Sequence, residues 1–124
     1  INFKHPVKEL LFIAKKGNIH HKIENVKLDF NDMNVLDGNH NFLTYEQPLL
    51  HHINCSEDGL PFSLYSFAEN PESHYPSGHV NMSRIFHKRM TVNIEPSDDN
   101  VILKIYAINY NILHIASGLA GLKF

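Results

Sequence analysis

Alternation of apolar and polar residues is the main structural signal in this chain. Apolar and polar residues alternate in residues 25–30 and 89–95, and residues 62–68 divide in the same way between two faces. A period of two is typical of a strand, whose side chains point alternately to the two faces of a sheet. Residues 7–14 form an apolar run bounded by a proline and a glycine, which favours a strand and leaves a short helix open.

The last quarter of the chain is ambiguous. Residues 101–110 are rich in β-branched and aromatic side chains, which favours a strand. Apolar residues from Ile105 to Leu122 also recur at spacings of three and four, as in an amphipathic helix. Gly118 and Gly121 weaken a helix there. We predict a strand to about Tyr110 and leave residues 111–124 open.

Turn-forming residues divide the predicted strands. Residues 42–52 contain Pro48 in mid-segment, so we predict a short or broken helix there. Segments rich in Gly, Pro, Asn, Asp and Ser are predicted to be turns or loops: residues 31–41, 56–61, 69–78 and 96–100. Several short strands with little helix predict an all-β domain, a sandwich, jelly roll or barrel, over residues 1–124.

Composition narrows the possible functions. The chain has 124 residues, 43% hydrophobic and 19% charged, with a net charge of −2. These values fit one globular domain and argue against a nucleic-acid partner. Cys55 is the only cysteine, so no internal disulfide is possible. The apolar runs are shorter than a membrane span of roughly 20 residues, so we expect no direct membrane insertion.

The histidines do not form a recognisable metal motif. Ten are present, including the doublets at 20–21 and 51–52. Zinc sites usually use histidines four apart on a helix or a Cys/His pair of fixed spacing, and neither occurs here. Neighbouring residues on a strand point to opposite faces, so a doublet there cannot chelate with both rings. A cupin-like metal enzyme would need distant histidines to converge.

No catalytic or cofactor site is predicted either. The serines lack a Gly-x-Ser-x-Gly elbow. Cys55 lies near His51 and His52, but nothing supplies an orienting or oxyanion partner. The glycine-containing tail lacks the lysine and spacing of a phosphate loop. We therefore predict no enzyme activity, no cofactor and no metal.

Special residues are concentrated between positions 76 and 84. Pro76 fixes one backbone dihedral angle, and Ser77 with Gly78 can supply a tight turn. Asn81 and Ser83 carry short polar side chains that can bond nearby backbone, and Arg84 offers five donors. We predict a rigid structural crossing here.

These segments resemble the carboxy-terminal region of the major capsid proteins of the large nucleocytoplasmic DNA viruses. That family includes iridoviruses, chlorella viruses, African swine fever virus and giant amoebal viruses. Matching segments run in family order at residues 65–68, 71–72, 76–78, 81, 83–84, 106–107, 109–111 and 117–122. Residues 5–16 and 46–52 also resemble family segments. Phe86 and His114 depart from the family pattern, which has Asp and Arg there.

The resemblance implies a structural role. The family protein is a double jelly roll, and this chain would be most of its second sandwich. Three copies form a pseudo-hexagonal capsomer, whose implied partners are neighbouring capsomers and minor capsid proteins. The implied location is the virion capsid, assembled in the host cytoplasm. The implied structural motif residues are Pro76, Ser77, Gly78, Asn81, Ser83, Arg84, Tyr106, Asn109, Tyr110, Gly118 and Gly121.

The resemblance also has a consequence for folding. The last strand of a jelly roll pairs with strands from the start of the domain, and the resemblance implies that this chain lacks the opening strands. If the chain is the complete polypeptide, we therefore expect residues 101–110 to lack neighbours. We also expect the chain to be ordered only within a larger assembly.

Two alternatives belong to other functional classes. A carbohydrate-binding β-sandwich would present Tyr45, Tyr65, Tyr75 and loop histidines on a concave face. The cupin-like enzyme would bring three histidines together around a metal ion.

Overall fold

The computed structural model describes residues 1–55, 61–98 and 100–124. A π-helical segment, Phe42–Glu46, leads into the short helix α1 (Gln47–His51), and a 3-10 turn spans Met82–Arg84. The strands are β1 (Pro6–Lys16), β2 (Ile19–His20), β3 (Ile23–Phe30), β4 (Met33–Asn39), β5 (Ser63–Ser66), β6 (Val80–Asn81), β7 (Lys88–Ile94), β8 (Ile102–Asn109), β9 (Leu113–Ala116) and β10 (Leu119–Leu122).

Strand β1 is the centre of the larger sheet. It pairs antiparallel with β2, β5 and β6 at successive positions, and with β8 along residues 7–15. Leu10 is opposite both Tyr65 of β5 and Ala107 of β8, so these two strands occupy the two edges of β1. Both backbone edges of β1 are therefore hydrogen-bonded.

A second sheet has the order β4–β3–β7, with antiparallel pairing throughout. Buried side chains of β1 and β3, including Leu10, Phe12, Val26 and Leu28, belong to one hydrophobic core. The two sheets thus form a β-sandwich. The pair β9–β10 forms a separate two-stranded hairpin.

A bulge in β1 gives the central strand two different faces. The register against β8 shifts between Val7 and Glu9, which inserts one extra residue and changes the alternation. Val7 and Leu10 are consequently both in the core. Glu9 is also buried, but it alternates with Leu10 and so lies on the outer face of the sheet.

The strands predicted at residues 7–14, 25–30, 62–68, 89–95 and 101–110 are all confirmed as β1, β3, β5, β7 and β8. The short broken helix is also confirmed, as the π-helical segment followed by α1. Pro48 lies in the first turn of α1, where a missing N–H costs no helical hydrogen bond. The loop predicted at 56–61 lies almost entirely outside the described residues, as does Asp99 of the predicted turn at 96–100.

The loop predicted at residues 31–41 is wrong, because β4 occupies most of it. Asn31 and Asp32 alone make the turn, with φ of 49° and 64°, the left-handed pair that closes a tight hairpin. The later Asp37-Gly38 sequence lies within the strand. A Cβ on Gly38 would be 3.1 Å from the Leu43 side chain, so this glycine lets the helical segment pack against β4.

The expectation that residues 101–110 lack neighbours is also wrong, because β8 pairs with β1 over most of its length. Its edge away from β1 has no partner strand among the described residues. The unassigned residues 111–124 form the β9–β10 hairpin rather than a helix.

Candidate functional site: the turn segment and its anchors on β1

Ser77 closes the loop that follows β5. Its hydroxyl accepts a hydrogen bond from the Asn70 N–H at 2.8 Å and donates to the Asn70 carbonyl at 3.1 Å. The Glu69 N–H also donates to the Ser77 carbonyl at 3.4 Å. Pro76 precedes this closure and is exposed. The loop is thus held at its base by the side chain and the backbone carbonyl of Ser77.

Gly78 is required by close backbone packing. Its φ is +145°, and a Cβ there would be 2.7 Å from the Phe67 carbonyl oxygen and 3.3 Å from Ala68 Cα. Other residues rarely adopt this φ, and the rigid backbone of Phe67 cannot yield to a methyl group. Gly78 therefore fixes the crossing of the loop over the end of β5.

Asn81 and Ser83 attach the crossing to the start of β1. The Asn81 side chain accepts from the Ser83 N–H at 3.1 Å and caps the 3-10 turn. The Ser83 hydroxyl accepts from the His5 N–H at 2.9 Å. Val80 and Asn81 pair with Val7 and Pro6. Between these contacts, Met82 is fully buried.

Lys88, and not the donor-rich Arg84, bonds backbone carbonyls at this crossing. Its ammonium donates to the carbonyls of Met82 at 2.7 Å and Ile85 at 2.9 Å. Arg84 is exposed, and the described residues provide no hydrogen bond or ion pair for it. Lys88 lies four residues after Arg84 and belongs to no sequence motif, so the sequence could not predict these contacts.

The segment around Tyr110 meets the turn segment, residues 76–84, near Pro6. The Tyr110 N–H donates to the Pro6 carbonyl at 2.9 Å, and the ring of Tyr110 is 6.1 Å from that of His79. The Lys8 ammonium lies 5.4 Å from the Tyr110 ring and donates to the Pro71 carbonyl at 2.7 Å. The turn segment and the segment around Tyr110 therefore both contact residues 5–8.

The remaining motif residues are placed differently. Tyr106 and Asn109 are exposed on β8, while Gly118 and Gly121 lie in the β9–β10 hairpin. Gly118 has a φ of +75° in the hairpin turn. A Cβ on Gly121 would meet no atom within 4 Å, so no packing requires a glycine there.

An ion-pair cluster that the sequence did not reveal lies on the outer face of β1. His52 Nδ1 is 3.0 Å from a Glu72 carboxylate oxygen, and its Nε2 is hydrogen-bonded to Glu9. The Glu9 side chain is only 4% exposed. Ionised carboxylates can only accept hydrogen bonds. Both His52 bonds therefore form together if the imidazole ring carries two protons or if one of the two carboxyl groups is protonated. The cluster ties β1, the end of α1 and the loop after β5.

Cys55 lies beside this cluster but is not an activated nucleophile. Burial, followed by the nearby Glu72 carboxylate, raises the pKa of the Cys55 thiol above its ordinary value. The thiol donates to the Pro48 carbonyl at 3.1 Å, while both His52 ring nitrogens contact carboxylates. A protonated thiol beside a histidine whose two ring nitrogens are both engaged does not match nucleophilic catalysis.

The two alternative functions find no supporting geometry. Among the described residues, no three His, Cys, Asp or Glu side chains could share a metal ion. Tyr65 packs into the core, its ring 5.1 Å from that of Phe67, and burial raises the pKa of its hydroxyl. Tyr65 therefore cannot join the exposed Tyr75 in a sugar-binding platform. Within the described part of the chain, no helix is long and apolar enough to cross a membrane.

Comparison with known proteins identifies the family. A family model described as large eukaryotic DNA virus major capsid protein matches residues 19–121. The major capsid protein of Pyramimonas orientalis virus is 31% identical over 153 aligned positions, covering 100% of this chain and 38% of that protein. That of Phaeocystis pouchetii virus is 37% identical over 82 residues, covering 63% of this chain and 15% of that protein. The chain belongs to the family of large eukaryotic DNA virus major capsid proteins.

Solved structures show the same fold. PBCV-1 VP54, fitted into a reconstruction of the virophage Sputnik, superposes with a TM-score of 0.84 at 20% identity, covering 100% of this chain and 44% of VP54. A quasi-atomic model of the PBCV-1 capsid gives a TM-score of 0.81 at 20% identity, with the same coverage. The sandwich is a jelly roll, and the predicted family and fold class are confirmed. The chain spans less than half the length of these proteins.

The turn segment yields a stability prediction. Gly78→Ala should lower the free energy of unfolding by about 1–3 kcal/mol, because an alanine at this φ would be strained and its Cβ would meet a backbone carbonyl. Gly121→Ala is the matched control, expected to change it by less than about 0.5 kcal/mol. Denaturant unfolding measures both, and equal effects would contradict the role assigned to Gly78.

The ion-pair cluster yields a second prediction. His52→Ala leaves the buried Glu9 carboxylate without its partner and should cost about 3 kcal/mol of stability. Adding Glu9→Gln should recover part of that loss, since the uncompensated charge is removed. His74→Ala, at an exposed position in the loop after β5, is the control and should be neutral. If the double variant is no more stable than His52→Ala, Glu9 is not the residue that His52 neutralises.

Proposed function

We propose that this chain forms most of the second jelly roll of a double-jelly-roll capsid protein, three copies of which make a pseudo-hexagonal capsomer. The observation that carries the proposal is the match of the entire chain to VP54, at a TM-score of 0.84 over 44% of that protein. A chain that is itself one sandwich and covers less than half of its relative leaves room for a second domain of similar size.

Exposed apolar side chains support a role in assembly. Leu49, Leu50 and Ile53, on and just after α1, are 66%, 71% and 86% exposed. Tyr75 and Phe86 are exposed at 83% and 87%. Clustered apolar residues at a surface mark protein contacts more often than scattered ones do. We assign the α1 group to contacts between copies, neighbouring capsomers or minor capsid proteins.

The proposed mechanism is geometric and involves no catalysis or cofactor. The Ser77, Gly78 and Asn81 contacts hold the crossing between β5 and β6 in one conformation. A rigid crossing presents the same surface in every copy, which repeated assembly requires. The proposed setting is the virion shell, built in the host cytoplasm.

Electron microscopy of the full-length capsid protein tests this proposal. We expect trimers by native mass spectrometry and pseudo-hexagonal particles in class averages. Leu50→Asp should reduce trimers or higher assemblies while leaving the circular dichroism spectrum of the folded protein unchanged, because Leu50 is exposed in the single chain. His74→Asp places the same charge at another exposed position and serves as control. A protein that stays monomeric at micromolar concentration and forms no regular particles would contradict the proposal.

A further inference from the structure

His52 links two carboxylates that belong to different parts of the sandwich. Its Nε2 contacts Glu9 of β1, and its Nδ1 is 3.0 Å from Glu72 Oε1 in the loop after β5. A neutral imidazole ring carries one proton and can donate only one hydrogen bond. Both contacts are therefore hydrogen bonds at the same time only when the cluster holds one proton more than a neutral ring and two ionised carboxylates contain.

This additional proton belongs to the cluster as a whole. It can lie on the ring of His52, which then donates to both carboxylates, or on one of the carboxyl groups, which then donates to the ring. Either arrangement gives the same pair of contacts. Raising the pH removes the proton and leaves two ionised carboxylates to share a single N–H.

Burial decides which of the two bonds is lost. The Glu9 side chain is 4% exposed, whereas the Glu72 side chain is 35% exposed. An ionised carboxylate that loses its partner in the interior is more costly than one that can turn to water. The remaining N–H therefore stays with Glu9, and Glu72 is the carboxylate that is released.

Glu72 also holds the backbone just after α1. The Ile53 N–H donates to its two carboxylate oxygens, at 3.3 Å and 3.4 Å. Ile53 belongs, with Leu49 and Leu50, to the exposed α1 group that we assign to assembly. Release of Glu72 therefore frees the backbone of this group from the loop after β5.

The neighbouring titratable groups do not need the additional proton. His51 Nδ1 donates to the Glu69 carbonyl at 2.9 Å, which a neutral ring can do. The Lys8 ammonium donates to the Pro71 carbonyl at 2.7 Å. Burial raises the pKa of the Cys55 thiol, so the thiol stays protonated where histidine titrates. The rest of the loop therefore stays attached when the cluster loses its proton.

We propose that the proton shared by Glu9, His52 and Glu72 is a switch for assembly, because it fixes Glu72 to His52 and so holds the α1 group in position to contact neighbouring copies. This rests on the proposed function, which assigns the α1 group to such contacts. Loss of the proton at higher pH releases Glu72 and weakens assembly. Glu72 is thus a positioning residue, since it acts through the backbone of Ile53.

The variant Glu72→Gln separates the proton from the geometry. Its amide nitrogen can donate to His52 Nδ1, and its amide oxygen can still accept from the Ile53 N–H. A neutral ring then makes both of its bonds, so the contact no longer depends on pH. Glu69→Gln is the matched control, because Glu69 is exposed in the same loop and contacts His51 through its backbone.

Hydrogen exchange at the Ile53 amide of the full-length capsid protein measures the release. After correction for the intrinsic effect of pH, the unsubstituted protein should exchange about five-fold faster at about pH 9 than at about pH 6, as expected for the loss of one hydrogen bond. Glu69→Gln should respond in the same way, and Glu72→Gln should not respond. The trimer fraction, measured by light scattering, should fall at the higher pH except in Glu72→Gln.

Several results would overturn the proposal. An equal response of the Ile53 amide in Glu72→Gln, or a lost response in Glu69→Gln, means that another group controls it. An unsubstituted protein without any response means that no proton controls this contact. A trimer fraction that is independent of pH while the amide responds means that the switch does not govern assembly.

The switch and the capsomer proposal can fail separately. If the amide responds as expected but the protein forms no trimers at either pH, the capsomer proposal fails although the proton still controls Glu72. If trimers form and the amide does not respond, only the switch fails.

Discussion

The structure depends on the central position of β1. Both of its edges are paired, to β5 on one side and β8 on the other. Its inner face supplies Leu10 and Phe12 to the core, and its outer face carries Glu9 beneath His52. A strand that is paired on both edges and packed on its inner face positions the elements that contact it.

The bulge near Lys8 allows β1 both to pair along its two edges and to contribute side chains to the core. It changes the alternation of β1 so that the start of the strand can meet β6 and the end of β8, while the rest still faces the core. Both sequence motifs reach β1 at this point, through the contact of Ser83 with His5 and that of Tyr110 with Pro6. The motifs are therefore best understood as attachments to one irregular strand.

Sequence reasoning located most strands because their alternation is local. It missed β4, because Gly38 was taken as a turn residue when it is needed for packing against Leu43. It expected no partner for β8, because the resemblance implied that the opening strands of the sandwich are missing, whereas β1 supplies that partner. Pro76, Ser77 and Gly78 could be picked out from residue type, but the Lys88 contacts and the Glu9–His52–Glu72 cluster could not. The cluster joins side chains that are far apart in sequence, and Lys88 is a single residue that belongs to no sequence motif.

Membership in the capsid protein family gives these contacts a purpose. A shell subunit, the role proposed for this chain, must present one shape in every copy. Here the paired backbone of β1, the close packing at Gly78 and the Glu9–His52 contact hold the structure in place. The less constrained parts include the exposed apolar residues Leu49, Leu50 and Ile53. This is the surface that neighbouring molecules are proposed to cover.

Hydrogen exchange in the full-length capsid protein tests the central role of β1 most directly. Exchange from a strand that is hydrogen-bonded on both edges and packed against the core requires opening on the largest scale. We expect the amides of residues 9–15 that face β5 or β8 to exchange most slowly in this part of the protein, and more slowly than those of β4. If residues 9–15 exchange as fast as β4, β1 is not the strand on which the fold depends.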